Sequence, residues 1–399
     1  MGDTQKHTKP NVPNLRFPGF EGEWEQHLLS EYLDFKNGLN PSAKSFGEGI
    51  KFISVMDILN NPFITYDCIR ASVNATEKEK QEFNVEYGDI LFQRSSETLE
   101  DVGHANVYLD SRTALFGGFT IRGKKKGVYN PLFFKYLLDS PTARKKVIVK
   151  GAGAQHFNIG QEGLSKVVLS FPSIQEQNRI AVFMNLLDQR IAIQNKVIED
   201  LKKLKTALCE QLYNEHNPNS YIGDLIKQKS IRNRMGEDLK VLSVSNRYGF
   251  IEQSEQFEDR TVASEDTSNY KIVSLNDFAY NPARINVGSI ARLKFFEKGI
   301  VSPMYICFHC KENVLPEFLE HFLNTKYFSL EMEKRLEGSV RMCLSFEGLC
   351  NIPIYIPSYE MQMDIGKKIT VLNDKLGLEE SYSNYLNSHK RYLLSQLFI

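Results

Sequence analysis

From Trp24 to about Ser170 the chain alternates short apolar runs with Gly, Asn and Pro. Runs such as Lys51–Ile58 and Asp89–Phe92 predict strands, because a few apolar residues bounded by turn formers fit a buried β-segment. Pro131 to Leu138 reads as a helix, with proline in its first turn. The texture then changes. From Ser173 to Tyr213 there is no Pro or Gly, and apolar residues recur at Leu187, Ile191, Ile198, Leu201, Leu208 and Leu212. Gln194 and Lys205 fill the intermediate positions. Spacings of three, four and seven predict a long helix with a coiled-coil seam. Ser173 is a suitable N-cap, and Glu176 three residues on predicts a capping box.

The same succession returns in the second half. Pro316 to Leu323 answers Pro131 to Leu138, and a final stretch carries Ile365, Ile369, Leu372, Leu376, Leu386, Leu393 and Leu397. Here Met361 replaces the box Glu, and Gly366 and Gly377 interrupt the pattern. Gly163-Leu164 recurs as Gly348-Leu349, each in a loop before a Pro-Ser step, and Phe171-Pro172-Ser173 recurs as Ile356-Pro357-Ser358. Gln211-Leu212-Tyr213 recurs as Gln396-Leu397-Phe398, all at an offset of 185. Asp101-Val102-Gly103 matches Asn286-Val287-Gly288 at the same offset. Tyr87–Phe92 matches Leu275–Tyr280 at 188, and Lys51–Val55 matches Lys240–Val244 at 189. So long a period is a duplicated domain rather than a solenoid.

The expected fold is α+β: two similar globular α/β domains, each followed by a long helix. The helices bury their seams against each other as an antiparallel coiled coil, which gives internal pseudo-twofold symmetry. The predicted divisions are a loose lead-in at 1–20, domains at 21–170 and 216–355, and helices at 171–215 and 356–399. A helix of ~40 residues is ~60 Å long, so the pairing predicts a rod with one domain near each end. Such a molecule suits a target with two sites at a fixed separation.

A chain of 399 residues, 42% hydrophobic and 25% charged, is long enough for two or three ordinary domains. Lys+Arg 49 equals Asp+Glu 49, so net charge points to no partner. Ile121 to Asn158, however, holds nine Lys/Arg and one acid, Asp139. That excess is a candidate phosphate-facing surface, with Lys124, Lys125 and Lys126 at its head. No apolar run reaches membrane-spanning length, and Met1 to Pro13 lack a signal-peptide core. The irregularly spaced Cys68, Cys209, Cys307, Cys310, Cys343 and Cys350 read as reduced structural thiols, and the expected compartment is a cytoplasm. Cys307, Cys310, Cys343 and Cys350 supply enough thiols for zinc. The apparent strand under the first pair, however, sends alternate side chains to opposite faces.

No nucleotide-binding G-x-x-x-x-G-K-[ST] loop is present. Gly151-Ala152-Gly153 begins like a dinucleotide fingerprint, but His156 occupies the third glycine position. Asn61-Pro62-Phe63-Ile64 lacks the second Pro of an amino-methyltransferase corner and reads as a turn. Two loops per copy are suited to contact a ligand. The first is Gln93-Arg94-Ser95-Ser96 through Gly103, matched by Asn281 to Arg284, Asn286 and Ser289, each after a strand ending in Phe92 or Tyr280. Tyr280 is counted with its loop. Arg, Asn, Gln and Ser supply phosphate and base-edge contacts. The second is Lys150-Gly151 through Gln155, matched by Glu337-Gly338-Ser339-Val340-Arg341; small residues there permit close backbone approach.

The strand and loop "YGDILFQRSS", its partner "LNDFAYNPARINVGSIA", the helix start "FPSIQEQNRIA" and the helix end "LKKLKTALCEQLY" resemble the specificity subunit of type I restriction-modification enzymes. The second helix start, "IPSYEMQMDI", keeps only Gln362 of the Glu-Gln pair, which leaves its cap and any partner contact there open. The resemblance implies a non-catalytic, sequence-specific DNA-recognition subunit. Each globular part is then a target-recognition domain reading half of a bipartite duplex site. The helices dock two methyltransferase subunits, and motor-nuclease restriction subunits join through the complex. S-adenosylmethionine, ATP and Mg are expected in those partners and no cofactor in this chain. Competing readings are a self-contained DNA methyltransferase or nuclease with unrecognised motifs, and a protein scaffold that does not touch DNA.

Overall fold

The structure is a computed structural model that describes residues 11–153, 156–214, 217–246, 248–253, 266–338 and 341–399. The chain packs as two compact units: everything up to Asn195 with Ser381–Ile399, and Lys196–Glu380.

In the first unit, β1 (Leu33–Asn37), β2 (Ile90–Gln93), β3 (Ala105–Val107) and β4 (Thr120–Lys125) form an antiparallel sheet in the order β1-β4-β2-β3. All four residues of β2 are buried, and Ile90, Leu91 and Phe92 form a continuous apolar run because the strand is covered on both faces. Ile90 and Phe92 enter the main core, and Leu91 enters a second cluster on the other face. A second sheet runs in the order Ser72–Val73, Phe46–Ile53, Ala114–Phe116, Asn84–Val85, with the middle pair parallel. The predicted strand over Lys51–Ile58 therefore stops at Ile53. Ser54 instead caps a short helix, Val55–Asn60, with its N–H donated to Asp57 Oδ2 at 2.7 Å. Helices α1 (Pro131–Asp139) and α2 (Pro141–Ile148) follow.

The stretch expected as a loose lead-in is tied down from residue 11 onward. Leu15 N–H donates to the Gln396 carbonyl at 3.0 Å and Trp24 N–H to the Asn11 carbonyl at 2.8 Å. Arg16 makes a two-pronged pair with Glu176 at 2.9 and 2.8 Å. That pair also corrects the expected capping box. Ser173 Oγ accepts from Glu176 N–H at 3.4 Å, but the Glu176 carboxylate is engaged by Arg16.

Helix α3 (Ile174–Asn214) carries its predicted seam: Gln194 is buried and Leu187, Ile191, Ile198, Leu201, Lys205, Leu208 and Leu212 are all partly buried. The second unit repeats the first. Strands β5 (Ile226–Lys229), β6 (Phe278–Tyr280), β7 (Ile290–Arg292) and β8 (Ile306–Cys310) lie in the order β5-β8-β6-β7. Its second sheet runs Gly249–Glu252, Val241–Ser245, Lys298–Val301, Lys271–Ser274, again with a parallel middle pair. Helices α4 (Pro316–Phe322) and α5 (Lys326–Glu333) follow. The predicted loops around Gly163 and Gly348 are single helical turns, Gln161–Ser165 and Phe346–Cys350.

Helix α6 (Tyr359–Leu397) runs unbroken through Gly366 and Gly377, contrary to the expected interruption. Packing overrides the weak glycine propensity: Ile365 and Ile369 are fully buried in the second unit's core. Within the first unit α3 and α6 are antiparallel. Asp188 pairs with Lys390 at 2.6 Å and Asn195 with Ser383 at 2.9 Å. Within the second unit Lys202 pairs with Glu380 at 2.7 Å. Each helix ends on an aromatic plug. Phe398 packs on Phe133 and Trp24 in the first core, at ring distances of 5.6 and 6.5 Å. Tyr213 packs on Phe318 at 5.0 Å in the second, and its hydroxyl donates to the Phe318 carbonyl at 3.0 Å.

Two substitutions test this frame. Arg16→Ala strands the buried Glu176 carboxylate and is expected to cost about 3 kcal/mol, read from the urea midpoint; a loss under about 1 kcal/mol contradicts the pairing. Gly377→Ala is expected to stabilise by about 1 kcal/mol, because a Cβ there meets nothing within 4 Å and helix propensity improves.

Candidate nucleic-acid interface

Each unit builds one face from three connections at the same end of its central strand. A buried aspartate sets the strand's start. Asp89 accepts from Lys125 N–H at 2.9 Å and Glu86 N–H at 3.0 Å, and burial pushes its pKa up. Asp277 accepts from Ser274 N–H at 2.6 Å and is paired with Lys229. The preceding residue is left-handed in both, Gly88 at φ 91 and Asn276 at φ 72, so the paired Gly-Asp and Asn-Asp steps are one turn.

At the far end of β2, Arg94 N–H donates to the Phe119 carbonyl at 2.9 Å and Arg94 Nη1 to the Gly118 carbonyl at 3.3 Å. Ile159 N–H donates to the Arg94 carbonyl at 3.0 Å, and Ser95 and Ser96 pair as a short strand with Asn158 and Phe157. The 93–103 loop and residues 150–153 of the second loop are thus linked through Phe157 to Ile159, and the turn before β4 is tied to Arg94. Arg144, whose pKa burial lowers, pins the first loop by donating to the Glu100 and Val102 carbonyls at 2.7 and 2.8 Å. Thr98 donates to Asp101 at 2.6 Å, holding that carboxyl below its usual range.

The second unit repeats the bonds. Leu344 N–H donates to the Pro282 carbonyl at 3.1 Å, as Ile159 does to Arg94. The bridge Glu337–Cys343 matches Ala152–Asn158, and each closes a turn on a positive-φ glycine, Gly338 at φ 123 and Gly153 at φ 145. A Cβ at either would strike a carbonyl at 2.3 or 2.0 Å. Arg284 and Arg341 are exposed and line one recess with Asn281, Met304 and Cys343. Neither guanidinium has a hydrogen-bond or ion-pair partner among the described residues.

Several expected contact residues are structural instead. Tyr280 is wholly buried and its hydroxyl donates to the Leu344 carbonyl at 3.3 Å; as a β6 residue it alternates into the core with Phe278. Gln93 is buried with its amide on the Ser95 carbonyl at 2.9 Å, and Ser289 is buried with its hydroxyl on the Val244 carbonyl at 3.1 Å. Gly151 gives space to its neighbours, since a Cβ would lie 2.7 Å from Val102 Cγ1. Gln155 and Ser339 lie outside the described residues. Arg94, Ser95, Ser96, Asn281, Arg284, Asn286 and Arg341 keep surface on this face.

The basic excess of 121–158 is also reduced at its head. Arg122 is buried, with its guanidinium on Asn84. Lys135 is buried and pairs with Asp139 at 2.5 Å. Lys126 meets Asp34 at 2.8 Å and Lys124 meets Glu86 at 3.6 Å, while Lys125 lies 4.9 Å over the Tyr129 ring. Asp34 and Glu86 come from segments outside the counted window, and Asp139 from within it. Cys307 stands where Arg122 does and packs in one cluster, while Cys310 packs against the cluster on the opposite face; burial pushes both thiols up to about 12. Among the described residues no group of side chains has a metal-binding arrangement. None of the described helices is long and apolar enough to cross a membrane.

Sequence reading missed Phe119 and Met304, exposed beside the two arginine loops. Their only signal was position: each follows a Gly-Gly or Ser-Pro step just before a sheet strand.

Residues 21–203 match the family model described as "Type I restriction modification DNA specificity domain". The MjaX type I restriction enzyme specificity subunit of Methanocaldococcus jannaschii is 22% identical over 98% of this chain and 97% of its own. The MjaVIII specificity subunit of the same organism is 21% identical over 94% and 92%. The crystal structure of a type I restriction-modification S subunit from M. genitalium shares the fold, with a TM-score of 0.59 at 16% identity over 97% of this chain and 99% of that one. Residues 21–203 thus match a type I restriction modification DNA specificity domain, and the relatives that align along nearly the whole chain are specificity subunits of type I restriction enzymes.

Proposed function

We propose that the chain reads a bipartite duplex DNA site, one half with each unit, and delivers it to partner subunits that carry the chemistry. The observation that carries this reading is the face built twice on one frame with different side chains: Arg94, Ser95 and Ser96 in one unit, Asn281, Arg284 and Arg341 in the other. Guanidinium, amide and hydroxyl groups on held loops suit base edges and phosphates. Two methyltransferase subunits bind the long helices. Beyond its buried seam, α3 exposes Leu186, Ile193 and Leu204, and α6 exposes Leu378, Tyr385 and Tyr392, at intervals of three, four and seven or their sums. Such a second stripe suits helices of a partner. Those partners bind S-adenosylmethionine and methylate adenine, and motor-nuclease subunits that use ATP and Mg join through the complex; this chain itself contributes recognition and no catalysis. Mapping methylated adenines in a host carrying this chain and its partners tests the reading: a two-part motif with a fixed spacer is expected.

The two loop arginines are expected to behave differently. Arg284→Ala should leave stability unchanged, because its guanidinium holds nothing in the fold. It should weaken specific binding by roughly 1–3 kcal/mol and relax one half-site. Arg94→Ala should act on the other half-site and also lower the melting temperature, because Arg94 ties its loop to Gly118. Binding and melting curves of the assembled complex check both.

The helix pair should set the spacer. One heptad inserted in α3 near Asp200, matched by one in α6 at the level where Lys202 meets Glu380, keeps the seam. It adds ~10 Å of helix, or up to ~3 base pairs along duplex DNA. Unchanged half-sites with a longer spacer are expected in the methylome; an active variant with the original spacer rules the idea out.

A further inference from the structure

Phe119 and Met304 occupy one position in the two units, 185 residues apart, at the tip of the turn that enters β4 or β8. Both side chains are exposed, at 71% and 61%. Both turns are closed in the same way, by Thr120 N–H on the Gly117 carbonyl at 2.9 Å and Tyr305 N–H on the Ser302 carbonyl at 3.1 Å. Each tip is fastened to the recognition loop beside it. The Phe119 carbonyl accepts from Arg94 N–H at 2.9 Å, and Met304 Sδ accepts from Asn281 Nδ2 at 3.6 Å. Met304 shares its recess with Arg284 and Arg341.

A single exposed apolar side chain is ordinary on a protein surface. Phe295, for instance, is 80% exposed, but its counterpart at offset 185 is Asp110. Tyr87 and Leu275 recur as an exposed pair, yet they precede the central strand, at the end away from the arginines. Phe119 and Met304 alone among these combine recurrence, a fastened turn and neighbouring arginine. A rigid apolar tip beside cationic loops is the combination with which proteins enter a base step, and Phe and Met are both side chains used for it.

We propose that Phe119 and Met304 are DNA wedges. Each enters a base step of the half-site its unit reads, partly unstacks it and kinks the duplex there. Specificity then includes the ease with which that step opens, a property read without a hydrogen bond. The proposal rests on the DNA-reading assignment above.

The test uses the full chain assembled with its methyltransferase subunits and a duplex bearing the site mapped from the methylome. 2-Aminopurine is placed at successive positions other than the methylated adenines, and S-adenosylmethionine is omitted. The intact complex is expected to raise fluorescence at one step in each half-site. Phe119→Ala should abolish the rise in one half-site only and weaken specific binding about tenfold. Met304→Ala should do the same in the other half-site. Phe119→Leu should restore most of the signal, and the salt slope should stay unchanged because no phosphate contact is lost. If the intact complex prefers its site but both alanine variants keep affinity and fluorescence, the wedge is wrong and DNA reading stands. If the intact complex shows no preference for the site, the DNA reading and the wedge fall together.

Discussion

A glutamine amide fixes how each long helix leaves its globular domain. Gln177 donates to the Pro172 carbonyl at 3.0 Å and accepts from Asn130 N–H at 3.0 Å. Gln362 donates to the Pro357 carbonyl at 3.1 Å and to the Asn313 carbonyl at 3.2 Å, and accepts from Leu315 N–H at 2.8 Å. Asn130 and Leu315 are the caps of α1 and α4, so one side chain joins two helix starts. Both glutamines are buried, where a backbone group left without a partner would be costly. The amide, with a donor and an acceptor on one planar head, meets both needs at once. A carboxylate or an aliphatic chain of similar size could not. This explains why the second helix start tolerates Met361 in place of the glutamate but retains the glutamine.

That fixed exit makes the rest of the frame insensitive to its variable parts. Sheet order, the parallel middle pair and the left-handed residue before the buried aspartate are the same in both units. Residues between these anchors are not. The loop after β2 runs from Gln93 to Gly103, and its counterpart from Asn281 to Gly288 is three residues shorter. Arg94 consequently aligns with Pro282 rather than with Arg284. One arginine is half-buried and tied to the neighbouring turn, and the other stands free of the fold. A scaffold whose helix starts and strand turns are held by their own hydrogen bonds can change loop length and loop chemistry without losing its core.

Electrostatics follows the same division. Local charge counts along the chain overstate the basic surface, because acids distant in sequence return to it: Asp34 to Lys126, Glu86 to Lys124. Lys145, Lys146 and Lys150 keep no ion pair among the described residues, nor do Arg284 and Arg341 in the second unit.

The amino-acid sequence determined the duplication, the two long helices, their seams and the absence of catalytic motifs, because these depend on periodicity and on local spacing. The positions Leu187, Ile191, Gln194 and Ile198 lose exposure as the heptad requires. It did not separate Tyr280 from Arg284 in the same loop, since only alternation along a strand buried on both faces sends one inward and leaves the other out. Nor did it reveal the turn at Phe119, whose carbonyl is held by Arg94 N–H from another segment. Above all it divided the chain into domain, helix, domain and helix, whereas the packing divides each helix near its middle. The first half of α3 and the last part of α6 belong to one unit, and their remainders to the other, with Phe398 and Tyr213 closing the two cores. Periodicity states which face of a helix is buried; only the tertiary structure decides against what, because that choice lies with residues nearly two hundred positions away.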